Sequence, residues 1–370
     1  MGFKIYSSTL DVCDLSSNRI KMVFNSLPVD HICGVVFCGT SDNMEYHQLL
    51  DNLRTVVSRE LGRRVPITLI PQYIFPNGGL TLNIYTIDNA DKLIVEEREG
   101  ICYGFIENDK ERLLFVEGIP SSDFAQSVRQ QSDEVFEKLD SLLTSFGFEV
   151  DDIVRQWNYI GNIVAHKNGK QNYQEFNDAR SAYYAKGSWH KGYPAATGIG
   201  VDGEGIIVGG IAFQRADNTG IYPIDNPLQV AAHIYSKSVL VDDDKNAIKS
   251  TPKFERAKLI EANGEVCCFV SGTAAIRGEE SIANDSAKLQ TVKTIENIEH
   301  LVSKENLVRY GCKPYDLHYS QLQVFIKRSE DFAEVKEVVE SVFPHTPTIY
   351  SLADVCRSEL LVEIEGILIS

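Results

Sequence analysis

Ala353-Asp354-Val355-Cys356-Arg357-Ser358-Glu359-Leu360-Leu361-Val362-Glu363-Ile364-Glu365-Gly366 closes the chain on an alternating strand. Side chains alternate across a strand, so Leu361, Glu363 and Glu365 share one face while Val362 and Ile364 take the other. The parts that lead up to this strand occur twice. Phe115-Val116-Glu117-Gly118 reads as a strand end with a glycine turn, followed by Gln131, Val135, Phe136, Leu139 and Leu142 at helical spacing. Phe269-Val270-Ser271-Gly272 is followed by Gln290, Thr294, Ile295, Ile298 and Leu301, at the same offsets from the glutamine.

Working outward, each helix leads into a β-rich segment, Asp152 to Tyr159 in the first copy and Leu322 to Lys327 in the second. Further helices follow over Tyr173 to Tyr184 and Phe332 to Phe343. The copies close on alternating strands, Gln229 to Tyr235 and Leu361 to Glu365. The expected fold is α+β: two tandem modules, each a mixed sheet with helices on one face, with an insertion between Gly187 and Asn226 in the first copy. Ahead of them lies an N-terminal α/β region with a strand at Val35-Val36-Phe37-Cys38-Gly39, a helix from Glu45 to Glu60, and strands near Ile67 and Leu82. Whether it is a decayed third copy stays open. The expected boundaries are 1–110, 111–262 and 263–370.

At 370 residues and 43% hydrophobic content the chain can bury one large core or several smaller ones. No apolar run approaches the roughly 20 residues that span a bilayer, and Met1 to Asp11 lacks a signal-peptide layout, so a soluble cytoplasmic protein is expected. The eight cysteines include no CxxC pair, which favours reduced thiols over a disulfide framework. A net charge of −16 argues against a nucleic-acid surface, which needs many cations against phosphates. An anionic ligand would need arginines gathered in a pocket, where a few charges outweigh a screened acidic surface.

Several segments carry a family resemblance: Trp157-Asn158-Tyr159-Ile160, Tyr173 through Arg180, Pro194-Ala195-Ala196-Thr197, Asn226 through Tyr235, Phe254-Glu255-Arg256-Ala257, Phe269 through Ile276, and the closing run. The closing strand, Val362-Glu363-Ile364-Glu365, resembles that of the RidA family, the YjgF or L-PSP fold. From about Trp157 onward the chain is more similar to the chorismatases, the hydroxybenzoate and dihydroxycyclohexadienoate synthases of that superfamily, in which two RidA-like modules share one chain. The resemblance implies cleavage of the enolpyruvyl ether of chorismate to pyruvate and one of those cyclic acids, with neither metal nor redox cofactor. There are departures. Ser236 follows Tyr235 where the family has proline, and Asn177-Asp178-Ala179 precedes Arg180 where a cysteine and a glycine are usual. Thr348 stands where RidA deaminases carry an arginine.

Vinyl-ether hydrolysis begins with proton transfer to the terminal methylene carbon, and Glu363 is the expected acid. Burial, or Glu365 beside it, would raise the affinity of one carboxyl for its proton while the other stabilises positive charge. Two carboxylates on the substrate call for planar guanidiniums. Arg180 and Arg256 lie in matched blocks and are expected to bind it; Arg357 is expected to hold the C-terminal loop. Tyr173, Phe176 and Arg180 fall at helical spacing. Tyr235 would end a strand facing Glu363, with His233 on the same face, and a plain interior tyrosine is an equal reading. Gly272 and Thr273 at a strand-to-loop turn would offer backbone amides to the ligand.

Gly198-Ile199-Gly200-Val201-Asp202-Gly203 matches GxGxxG, but a strand follows it and not a helix, so it reads as a hairpin turn. No histidine spacing suits a metal, and Asp242-Asp243-Asp244 reads as a solvated loop. The expected ligand is a small carboxylate, with no metal, nucleic acid or membrane partner, bound by a monomer or homo-oligomer. The competing readings are a RidA-like enamine or imine deaminase and a non-catalytic binder of small carboxylates.

Overall fold

The computed structural model describes residues 3–10, 22–24, 27–39, 45–87, 93–167, 169–217, 219–236, 250–262, 264–283 and 285–370. Cys13 and the Asp242-Asp243-Asp244 loop lie outside them. The N-terminal unit comprises β1 (Phe3–Leu10), β2 (Ile32–Gly39), α1 (Tyr46–Leu61), β3 (Ile67–Ile70), β4 (Tyr73–Ile74) and β5 (Leu80–Ile87). The middle unit comprises β6 (Ile94–Arg98), β7 (Ile101–Glu107), β8 (Glu111–Pro120), α2 (Val128–Ser145), β9 (Ile153–Gly161), the short pair β10 (His166–Lys167) and β11 (Lys170–Gln171), α3 (Asn172–Tyr184), β12 (Ala195–Val201) and β13 (Ile206–Arg215). The C-terminal unit comprises β14 (Ile221–Ile224), β15 (Ala257–Ala262), β16 (Glu265–Ala274), the short pair β17 (Ile276–Arg277) and β18 (Glu280–Ser281), α4 (Ala287–Leu301), α5 (Lys304–Arg309), β19 (His318–Ile326), α6 (Phe332–Val342), β20 (Thr348–Leu352) and β21 (Val362–Ile369).

The middle sheet runs β12-β9-β13-β8-β7-β6, and the C-terminal sheet runs β20-β19-β21-β16-β15-β14 with β4 added beyond β20. Strand for strand these are one topology, parallel at β12/β9 and β20/β19 and antiparallel elsewhere. The N-terminal sheet, β3-β2-β5-β1, repeats its first four positions, again parallel only at β2/β3. The N-terminal region is thus a third copy of the plan without its two leading strands. The ladders change over between Ile87 and Ile94 and between Arg215 and Ile221, whereas the sequence pattern set the boundaries at 110 and 262.

Period-two alternation sorts each strand between two cores. Leu113 and Phe115 of β8 face a core shared by all three sheets, while Leu114 and Val116 pack under the middle helices. On β21, Ile367 joins the shared core and Val362, Ile364 and Leu368 lie under the C-terminal helices. Helices therefore cover the outside, and Glu363 and Glu365, in phase with Ile367, face the junction of units. Ser127 opens α2 with a capping box completed by Gln130, a feature that stabilises a helix start by about 1 kcal/mol. The matched glutamines have matched work. Gln131 donates to the Glu204 carbonyl and Gln290 to that of Glu359, each tying a helix to the chain that enters the closing strand of its unit.

Four expectations need correction. Gln229–Tyr235 is not a strand; Ala232–Ile234 is a 3-10 turn, and Asn226, accepting from the Leu228 amide, folds the segment back. The closing strand of the middle unit is β13, so residues 187–226 are no insertion but contain β12 and β13. Gly118 and Gly272 do not end strands; each sits within its strand at a register shift, Val116 to Ile119 against β13 and Val270 to Thr273 against β21. The GxGxxG segment is not a hairpin, because β12 and β13 flank β9 and do not pair with each other. The described cysteines are free thiols, and among the described residues no helix is long and apolar enough to cross a membrane.

Candidate active site

Where β12 meets the bulge of β16, the middle and C-terminal units enclose a cleft of about 780 Å³ of empty space, its mouth included. Its walls bring together Tyr173, Arg180, Tyr235, Arg256, Gly272, Arg357 and Glu363. These are seven of the nine residues singled out from sequence. The other two stand behind the wall. Thr273 donates its hydroxyl to the Ser271 carbonyl at 2.9 Å, and Glu365 is buried in a network described below.

α3 supplies one side. Tyr173, Asn177 and Arg180 recur at helical spacing and line the cleft, whereas Phe176 turns away to pack on Phe136 with ring centroids 5.6 Å apart. Asn177 is the residue missed there; its Oδ1 accepts from Arg180 Nη2 at 2.6 Å and it also bonds Tyr173. Burial holds the Tyr173 phenol well above its ordinary range, so it is neutral. Arg180 is 1% exposed, and no partner meets its Nε.

The opposite side comes from the segments before β15 and β21. Arg256 Nη2 donates to the Val230 carbonyl at 2.9 Å and to the Tyr235 hydroxyl at 2.5 Å, and its guanidinium lies 5.3 Å from the Phe254 ring. Because the Tyr235 oxygen accepts from Arg256, its proton is free for the cleft. Tyr235 lines the cleft from a turn and not from a strand, and His233 does not share its position: His233 packs against Tyr193 with the rings tilted, centroids 5.4 Å apart. Arg357 both holds its loop and lines the cleft, donating to the Glu279 carbonyl at 2.9 Å and to Ser281 at 3.2 Å while lying 5.4 Å from the Tyr235 ring. Among the described residues no carboxylate pairs with Arg180, Arg256 or Arg357.

Glu363 stands in the wall beside the β16 bulge. A Cβ on Gly272 would lie 2.0 Å from Glu363 Oε1, so the bare α-carbon is what makes room for the carboxyl. Desolvation first, and the Glu365 charge second, push the Glu363 carboxyl up to about 8 against the pull of Arg256 and Arg155. It is therefore an acid that keeps its proton at neutral pH. Cys356 also lines the cleft as a neutral thiol, pushed by burial to about 12.

Behind Glu363, Glu365 accepts from Arg155 Nη2 at 2.7 Å, from Trp157 Nε1 at 3.1 Å, and from the Thr197 hydroxyl. Arg155 had a legible signal: it alternates with Trp157 and Tyr159 on the face of β9 that meets the next unit. A lone arginine in a strand nonetheless reads first as an edge or surface residue.

Comparison with known proteins places this arrangement. The profile of the family described as "Chorismatase FkbO/Hyg5-like, N-terminal" matches residues 93–212. A 3-hydroxybenzoate synthase of Streptomyces hygroscopicus is 32% identical over 285 residues, spanning 73% of this chain and 77% of the relative. The chain belongs to the chorismatase family. A chorismatase of Streptomyces rapamycinicus is 30% identical over 240 residues, covering 63% of this chain and 68% of that one. A solved chorismatase structure aligns over 100% of this chain and 99% of its own, with a TM-score of 0.71 at 21% identity, so the whole three-unit fold is the chorismatase fold.

Proposed function

We propose that this chain converts chorismate, with Glu363 as the acid that opens the enolpyruvyl ether. The observation that carries the reading is the pairing, in one cleft, of a protonated carboxyl with three guanidiniums that lack carboxylate partners. A dianion supplies what those guanidiniums lack, and bidentate pairing would fix its two carboxylates. Arg180 would hold one from the α3 side, and Arg256 with Arg357 the other.

In the reaction Glu363 gives its proton to the terminal methylene carbon. The C=C electron pair forms the new C–H bond, and the ether oxygen shares the positive charge that results. Glu365, a carboxylate two positions along β21, offsets that charge. Water or the neighbouring ring hydroxyl attacks the cationic carbon. Water gives a hemiketal, its surplus proton returning to Glu363; the bond from that carbon to the ring oxygen then breaks as the hemiketal proton passes to the ring oxygen, leaving dihydroxycyclohexadienoate and pyruvate. The ring hydroxyl instead gives a cyclic ketal, its proton returning to Glu363; the ring then loses the C3 proton and its bond to the attacking oxygen, which stays in pyruvate as the carbonyl, while the bond from the ketal carbon to the C3 oxygen breaks and that oxygen takes a proton as the phenol of hydroxybenzoate. Both routes are redox-neutral.

Purified full-length chain is incubated with chorismate, pyruvate is read by its reduction to lactate with NADH, and the ring acid is identified by chromatography. Pyruvate with either ring acid supports the reading; no pyruvate sinks it. Thr348, on β20, occupies the position where the deaminases have their arginine, and nothing in the cleft favours that alternative.

A further inference from the structure

Glu363 and Glu365 share the inner face of β21, yet their surroundings are opposite in kind. Each neighbour of Glu365 is a donor. Guanidinium and indole have no acceptor, and Thr197 Oγ1 already accepts from Arg155 Nη2 at 2.8 Å and from the Gly272 amide at 3.1 Å, leaving its one proton for Glu365. A proton on Glu365 would meet no acceptor. Glu363 meets no donor among the described residues: burial and distant charge are what act on it, and bare Gly272 lies against it.

We propose that Arg155 is a positioning residue: together with Thr197 and Trp157 it fixes Glu365 as a carboxylate, so that the one proton of the pair resides on Glu363. The inference rests on the reading of Glu363 as the acid. Arg155 is itself 2% exposed, stacks 4.7 Å from the Trp157 ring, and has Nε and Nη1 without partners. A cation so enclosed, with one carboxylate in reach, is committed to it.

The other titratable groups that face the pair do not compete. Cys38 on β2, Tyr85 on β5 and Tyr159 on β9 face Glu365; Tyr173 on α3 and Cys356 face Glu363. Burial drives all five upward, so each is neutral at pH 7. Arg256 acts on Glu363 from the cleft side, where Arg180, Tyr235 and Arg357 line the same wall. Arg155 is the cation on the far side, bonded directly to Glu365.

The test compares wild type with Arg155→Met, Arg155→Lys, Thr197→Val, Glu365→Gln and Glu363→Gln. Infrared titration of the ligand-free chain reads the C=O stretch of protonated carboxyls. In wild type a band titrating near pH 8 should vanish in Glu363→Gln, beside the band of Glu117 near pH 7 that Glu117→Gln removes. Arg155→Met should add a further band at neutral pH that Glu365→Gln removes, Thr197→Val should do so more weakly, and Arg155→Lys should not. Glu365→Gln should lower the midpoint of the Glu363 band, because a like charge is gone. In turnover, Arg155→Met should lower kcat about tenfold or more with KM within about threefold, and adding Glu365→Gln should cost nothing further. An unchanged band pattern in both Arg155→Met and Thr197→Val, or kcat losses that multiply, overturns the proposal. The infrared arm uses no substrate, so a wild-type chain that releases no pyruvate sinks the functional reading while this arm still judges Arg155.

Discussion

The junction of the middle and C-terminal units has a sister at the junction of the N-terminal and middle units, and the two are built from the same backbone parts. The β8 bulge and the β16 bulge each place three positions against two on the closing strand, from Val116/Gly210 to Ile119/Val208 and from Val270/Gly366 to Thr273/Ile364. The bulge glycine donates to a threonine of the neighbouring unit in both, Gly118 to Thr68 at 2.7 Å and Gly272 to Thr197 at 3.1 Å. The residue before it caps the next unit's strand, Glu117 accepting from the Ile67 amide and Ser271 from that of Ala196. Counting from the shared register, Ile207 occupies the position of Glu363, and Gly209 that of Glu365. The glycines and threonines thus belong to the way units join. The two junctions differ in the side chains that the closing strand carries past the bulge.

Exchanging those side chains should separate the two junctions most. Glu363→Gln should lower pyruvate release by a factor of about 10² to 10⁴, the usual worth of a general acid, with chorismate binding by calorimetry retained. Ile207→Glu should give no second site. Ile207 is 1% exposed, and a carboxyl there would find neither a cleft nor the Arg155 set, so unfolding in denaturant should come earlier by on the order of 3 kcal/mol. Undiminished turnover in Glu363→Gln would end the assignment, and an unaltered denaturation midpoint in Ile207→Glu would mean that the sister junction is open.

The two glycines sharpen it further. A Cβ on Gly272 strikes Glu363 Oε1, while one on Gly118 strikes Ile207 Cγ2 at 2.9 Å and Thr68 Cγ2 at 2.6 Å. Gly272→Ala should therefore displace the acid and lower kcat by about tenfold or more, since catalysis depends steeply on position. Gly118→Ala should leave kcat near wild type and cost about 1–3 kcal/mol of stability through overpacking. Equal effects of the two substitutions on kcat would show that the bulge glycine does not position Glu363.

The sequence carried the helices, the paired offsets of Gln131 and Gln290, the two same-face glutamates and the wall arginines, because helical and strand periods depend on residue type alone. It misread the glycines, since a turn and a bulge both ask for a residue without Cβ and differ only in the register of the partner strand. The same limit made β13, though legible as a strand, look like part of an insertion, because its rank as a central strand is a property of pairing. Gln229–Tyr235 alternates in polarity without joining a sheet; its backbone turns at Ala232–Ile234 and only Tyr235 reaches the cleft. Arg155 stayed hidden because its partner, Glu365, is far along the chain and arrives from another unit.

The smallest expected effect concerns the carboxyl that the sister junction does keep. Glu117 accepts from Arg54 at 2.7 Å and from the Ile67 and Cys102 amides, yet desolvation pushes it up to about 7. A carboxyl with a raised folded-state pKa binds its proton more tightly when folded, so its contribution to stability falls as pH rises from about 4.5 through about 7 and is level above that. Glu117→Gln should flatten that part of the stability-against-pH curve, read as urea midpoints between pH 5 and 8, without moving the pH profile of kcat. Glu363 contributes a similar decline that continues to about 8. A Glu117→Gln protein whose kcat profile shifts would mean that the two junctions are electrically coupled. A flattened stability curve with an unmoved profile would mean that the sister carboxyl serves the joint between units and not the chemistry.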